Sequence, residues 1–237
     1  VLLILTICGA DAVAVMPIVT TGSVNPAYDL SLPWVVGSEL IVGYQADGTL
    51  TVAYTADVTT TGLVLVGDNN LLYADTSGTL WITGLGTTFS IDPNGESGLF
   101  IGPLAEGFMT VADGAVLSTH DAIIGGSPVL NELGEVVDVV DGQGHATVSG
   151  GATWTLGGNS LMVGAAGSGE LTITGSGSSV TDGISEIGLT PGSTGEVVVE
   201  ESGSWSLSED LVVGVWGEGS LTISGGGQVQ SARSWVG

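Results

Sequence analysis

The chain has 237 residues, of which 41 are glycine and 25 acidic, against one basic side chain, Arg233, for a net charge of −24. That balance cannot neutralise a phosphate backbone or an anionic lipid surface, which excludes nucleic-acid binding and docking to an anionic membrane. Charged residues make up 11% of the chain where about 25% is usual, so the acid content is ordinary and the bases are what is missing.

A hydrophobic share of 43% over this length supports a real core and argues against general disorder. Cys8, the single cysteine, cannot close an internal disulfide, and His120 and His145, the two histidines, form no Cys/His zinc constellation. No cofactor is expected, and stability has to come from packing and backbone ladders.

Residues 1–36 read as an apolar N-terminal segment and cap. Within them, Val1 to Val15 form an uncharged run too short to span a bilayer as a helix. The run has two readings. Its small-residue pattern at Ala10-Asp-Ala12 or Ala12-Val-Ala14 resembles the end of a signal peptide; alternatively it is a retained β-segment that caps or joins subunits. A lipid anchor on Cys8 is disfavoured by the bulky Ile7 before it.

From residue 37 to 237 the decisive feature is internal repetition. An apolar residue followed by glycine recurs at Val42-Gly43, Val66-Gly67, Ile101-Gly102, Ile124-Gly125, Val163-Gly164, Ile187-Gly188, Val213-Gly214 and Val236-Gly237. The intervals between these glycines are 24, 35, 23, 39, 24, 26 and 23 residues, which gives a unit of about 24 with insertions near 67–102 and 125–164. Leu161-Met-Val-Gly-Ala-Ala-Gly-Ser-Gly-Glu-Leu-Thr-Ile173 returns as Leu211-Val-Val-Gly-Val-Trp-Gly-Glu-Gly-Ser-Leu-Thr-Ile223. Alternate units add a glycine that leads an aromatic, as in Gly203-Ser-Trp205 and Gly86-Thr-Thr-Phe89, so the full repeat is a pair of units spanning 50 residues where nothing is inserted (Gly164 to Gly214).

Short runs of Val, Ile, Leu and Thr punctuated by Gly, Asn and Asp are poor helix material and read as strands. A unit of this size cannot bury its apolar face alone, but coiling successive units stacks each strand on its equivalent one turn later. The expected fold is all-β, a parallel β-helix or β-solenoid, right-handed by the default of parallel crossovers, with about eight turns in a rod roughly 40 Å long. The Val-Gly and Ile-Gly steps are its corners. A phosphate cradle would need a helix after the glycine, and none follows.

Trp34, Phe89, Trp154 and Trp205 fall at equivalent positions and read as a column of rings filling one core corner, or else as an exposed stripe that stacks on sugars. Trp81, Trp216 and Trp235 lie off that column and are the better candidates for surface contact. The pairs Asp47-Gly48, Asp113-Gly114, Asp141-Gly142 and Asp182-Gly183, and the loop Asp92-Pro-Asn-Gly-Glu96, are turn chemistry first and calcium ligands second. Neither these nor Asp68-Asn69-Asn70 follows a calcium-loop spacing, so no metal ligand is assigned. Glu200-Glu201 and Glu209-Asp210 are the only carboxylate pairs to nominate for hydrolysis, and neighbours on one strand point to opposite faces. His120 and His145 stand alone in expected loops. No nucleophile, base and orienter come together, and no catalytic residue is assigned.

The units from Gly203-Ser-Trp205 through Leu211-Val-Val-Gly214 to Gly219-Ser-Leu-Thr-Ile-Ser-Gly-Gly-Gly-Gln-Val229 resemble the bacterial repeat of type V secretion passengers and PEP-CTERM-associated proteins, closely over 150–237 and loosely from 37. The resemblance implies a secreted β-solenoid at the bacterial cell surface. The sequence reads as ending inside a unit, at Trp235-Val-Gly237, which leaves a strand edge for a neighbour to cover. The leading expectation is an extracellular structural protein, not an enzyme, self-associating head to tail into a surface fibre or sheath. An adhesin passenger binding glycans or host matrix is the alternative, and a polysaccharide-degrading enzyme the third.

Overall fold

A computed structural model describes residues 17–28, 32–68, 76–92, 97–130, 136–157 and 160–237, and all regular structure among them is β. The chain winds through three sheets in a fixed order. One turn enters sheet I at Ser168–Thr174, crosses to sheet II at Ser179–Asp182, continues to sheet III at Ile184–Ile187, and returns to sheet I at Thr194–Glu200. Each strand pairs in parallel with its equivalent one turn away, as Leu171 with Val197 in sheet I, Val180 with Trp205 in sheet II and Glu186 with Val212 in sheet III. The expected parallel β-solenoid is therefore the observed fold, with about 7 turns of about 26 residues.

The count differs from the eight expected because eight Val-Gly or Ile-Gly steps delimit seven intervals. The turn exceeds 24 residues where a corner lengthens, as between Ile187 and Thr194 compared with Val163 and Ser168. At about 4.8 Å per rung, the eight parallel strands of sheet III span about 34 Å. The insertion near 125–164 contains an antiparallel hairpin, Ser127–Leu130 with Val136–Val140, between sheets III and I. Much of the interruption near 67–102 lies outside the described residues, as does the run at 1–15 with Cys8.

The first rung runs backwards. Ile18–Gly22 pairs antiparallel with Gly48–Val52 of sheet I, Gly22 turns the corner at φ 69°, and Val24–Asn25 pairs antiparallel with Leu40–Val42 of sheet III. Ile18 is buried, and Tyr28 meets the first sheet II aromatic, Trp34, edge to face with ring centroids 5.3 Å apart. At the far end, the inward residues Ile223 and Val236 are 50% and 82% exposed.

Two glycine columns make the corner between sheets III and I. The first is the predicted set at strand ends, where Gly43, Gly67, Gly102, Gly125, Gly164, Gly188 and Gly214 all have positive φ. The second stands one residue inside sheet I, where Gly48, Gly78, Gly107, Gly144, Gly169, Gly195 and Gly219 are stacked in register. These need no unusual φ; they lack space. A Cβ on Gly169 would lie 2.2 Å from the Gly164 nitrogen and 2.3 Å from the Ile124 oxygen, the donor and acceptor of a 2.8 Å ladder bond.

Gly169→Ala should accordingly cost about 3 kcal/mol or prevent folding, because the obstacle is backbone and cannot rotate away. Gly37→Ala, at a site with open space around the absent Cβ, should change the midpoint of thermal unfolding little. Equal midpoints for the two variants would show that the corner has slack.

Candidate functional site

The aromatic column is interior. In sheet II, Trp34, Val58, Phe89, Leu117, Trp154, Val180, Trp205 and Val229 stack in one line. The four rings are buried, so the sugar-stacking reading of this column is overturned. They are not a continuous ladder either, since each ring is followed by an aliphatic residue one turn on. Two rows of rings at the 4.8 Å rung spacing would overfill the corner, whereas a large side chain over a small one fills it.

The same alternation places polar partners. The aliphatic turns carry Thr60, Thr119 and Asp182 two residues further along their strands, all buried. Trp154 Nε1 donates to Thr119 Oγ1 at 3.1 Å, and Trp205 Nε1 donates to Asp182 Oδ1 at 3.2 Å. An indole N–H without an acceptor in this core would carry its full desolvation cost. Asp182, read in the sequence as the turn residue of an Asp-Gly pair, is an inward core residue at the corner between sheets II and III. Ser185 donates to its other oxygen.

Several of the other described acids stitch one turn to the next, and Asp92 closes its own turn. Asp47 accepts from the Ser77 backbone at 2.8 Å, Asp57 from Thr88 at 2.6 Å, Asp113 from Thr83 at 3.0 Å and Asp92 from the Ser97 backbone at 3.0 Å. Burial first, and the nearby Glu39 second, raise the Asp68 carboxyl above its ordinary value. Asn69, Asn70 and residues 93–96 lie outside the described residues. Among the described residues, no three His, Cys, Asp or Glu side chains come together to hold a metal ion.

Of the nominated pairs, Glu200 ends a sheet I strand and Glu201 stands in the following turn, held by Thr174 at 3.3 Å. Asp210 is engaged by Arg233 at 2.7 and 2.9 Å. His145 is not in a loop. It lies on the sheet I strand Gln143–Val148, with Nδ1 2.9 Å from Glu170 and its ring stacked on Phe108 at 5.0 Å. His120 sits at the corner between sheets II and III with Nδ1 2.9 Å from Asp121.

The solenoid presents three outer faces of different chemistry. Sheet II shows hydroxyls, with Thr59, Ser90, Ser118, Thr155, Thr181 and Ser206 in one outward column. Sheet I is mixed, with Trp81 47% exposed among Thr51, Thr110, Thr147 and Thr172. Sheet III is apolar, its outward column reading Ile41, Leu65, Phe100, Ile123, Met162, Glu186, Val212 and Trp235. Its one carboxylate, Glu186, is half-buried, and that burial raises its pKa. Trp216 and Trp235 are exposed, as expected for rings off the core column.

The fold and these faces define a β-solenoid repeat protein. Comparison of the chain with family models, with curated proteins and with solved structures gives no match.

Burial raises the Asp182 carboxyl from 3.8 to about 6, against the lowering effect of the bonds from Ser185 and Trp205. Between those values the folded protein holds a proton that the unfolded chain has released. Its contribution to stability therefore falls as pH rises through this window and is level above it. Asp182→Asn keeps an acceptor for Trp205 and should be more stable than the parent at pH 8 by up to about 3 kcal/mol, the gap closing by pH 4. Urea unfolding of both proteins across that range measures the gap, and a constant gap would contradict the assignment.

Proposed function

We propose that the protein is a non-catalytic structural rod of the bacterial cell surface, outside the cell, whose solenoid turns stack end to end into a fibre or sheath. The observation that supports this reading is the unbroken register of all three sheets from rung to rung, which makes the chain a uniform rod that repeats its backbone every turn. Edge strands of such a stack recruit other strands. Against the cap strand Ile18–Gly22, which runs antiparallel to sheet I, a stacked copy's last sheet I strand would form an antiparallel ladder. The resemblance of the repeats to type V secretion and PEP-CTERM-associated proteins supports the surface location. Glycan adhesion is the second reading, favoured by the exposure of Trp81 on sheet I and of Trp216, since flat rings beside hydroxyls suit sugar faces.

Electron microscopy of the purified chain over a range of concentrations tests the leading reading. Filaments are expected, and Ile223→Glu with Val236→Glu should raise the concentration needed for them at least tenfold. Isolated rods at every concentration would overturn the fibre, and a glycan array read with Trp81→Ala and Trp216→Ala would then test adhesion.

A further inference from the structure

Sheet III departs from the other two sheets in a way the isolated rod leaves unexplained. Strands with one face in the core and one in water alternate apolar and polar residues, as Thr153-Trp-Thr-Leu156 does in sheet II. Four of the eight parallel sheet III strands instead read Leu40-Ile-Val42, Val64-Leu-Val66, Leu99-Phe-Ile101 and Ala122-Ile-Ile124, while the later four each begin with or contain polar residues. Near-continuous apolar runs mark parallel sheets covered on both faces. In the chain by itself Phe100, Ile123 and Met162 are only half-buried, and they line a shallow, mainly apolar groove with Leu63, edged by Asp121 and Ser160.

We infer that the outer face of sheet III is covered by the same face of a second copy of this chain, the two rods lying side by side and antiparallel. Charge complementarity selects both the occupant and the orientation. A surface with 25 acids and one base repels its copies except where it is uncharged, and the stripe from Ile41 to Trp235 holds one carboxylate, Glu186. A parallel pair would set Glu186 against Glu186. In the antiparallel pair the order of rungs reverses, so Glu186 faces Phe100 and Leu65 faces Val212, while Ile41 is already buried in the chain by itself. The column beside the stripe, which also carries Asp121 and Asp210, then brings Arg233, already bonded to Asp210, opposite Glu39 at both ends.

The contact area fixes how strong the pairing is. A face about 34 Å long and three residues, or about 10 Å, wide gives roughly 700 Å² over two copies, below the roughly 1,200 Å² of stable complexes. Two separate rods therefore pair weakly, and rods already joined end to end pair strongly because each further contact is intramolecular. The inference rests on the rod reading above only in that last respect.

Disulfide trapping reads such weak contacts. In a Cys8→Ser background, Ile123→Cys lies near the middle of the stripe, where the pair's two-fold axis brings it close to its copy, and Thr155→Cys lies on the hydroxyl face of sheet II. Under mild oxidation Ile123→Cys should give covalent dimers at least tenfold faster than Thr155→Cys. Adding Phe100→Glu, opposite Glu186, should bring it down to the Thr155→Cys rate with an unchanged circular dichroism spectrum. Charge reversal tests orientation: Arg233→Glu should slow trapping and the further change Glu39→Arg restore it. Equal rates for the two cysteine positions would overturn the inference, including the case in which another part of this chain covers the face. Failure of trapping with filaments present would sink the pairing and keep the fibre; trapped dimers with no filaments would do the reverse.

Discussion

The corner between sheets III and I is the constraint on which the rest of the solenoid depends. The chain must leave sheet III, turn and enter sheet I within about four residues on most turns, while the ladder bond from each corner glycine to the turn before stays intact. Both demands meet at one place. The first glycine supplies the positive φ, and the second, in sheet I, leaves room for that bond. Because a Cβ at Gly78, Gly107 or Gly169 would strike a backbone nitrogen and a carbonyl together, the spacing between the two columns can drift only by lengthening the loop outside. The corner between Ile187 and Thr194 does so, with Gly188 and Gly195 still in place. Insertions are accepted at this corner for the same reason, and the hairpin after Gly125-Gly126 leaves the next sheet I strand in register.

Once the corner fixes the rung spacing, the core has to be filled at that spacing, and the two-turn period follows. Rings and aliphatics alternate along sheet II, and for two of its three buried indoles the rung below supplies the acceptor, Thr119 for Trp154 and Asp182 for Trp205. Phe89 has no N–H, and beneath it Thr60 turns its hydroxyl to the Gly62 carbonyl instead. The 50-residue repeat is therefore a packing period, produced by side-chain volume and one hydrogen bond, while the backbone repeats every single turn.

This explains which features were legible in the sequence. Corner glycines and the aromatic positions could be read because they recur at fixed intervals, and recurrence survives ignorance of the fold. Asp182 could not, since Asp-Gly is a turn signal by local chemistry and only the register with Trp205 turns its carboxyl inward. His145 looked like a loop residue because glycines surround it, yet those glycines belong to the packed corner and the strand runs through them. The antiparallel first rung left no repeat to detect. The apolar outer column of sheet III precedes all but one of the Val-Gly and Ile-Gly steps, Glu186 being the exception, but a three-residue apolar strand does not reveal which side faces water.

The three faces also differ in what they ask of a neighbour. Hydroxyls on sheet II are satisfied by water and need no partner. Sheet I mixes rings, threonines and acids, among them Glu170 and Glu196 in successive rungs, so a like-charged copy is held off there. Sheet III alone has an apolar outward column, interrupted by Glu186 and flanked by Glu39, Asp121 and the Asp210–Arg233 pair. In a chain whose surface charge is so one-sided, contact between copies is restricted as much by repulsion as by attraction. The sheet II column is uncharged as well, but its hydroxyls keep their water, so in the proposed pairing the apolar column of sheet III is the face that gains by losing it. In the proposed fibre, growth beyond a pair would proceed along the axis, where the turns themselves would provide the next contact.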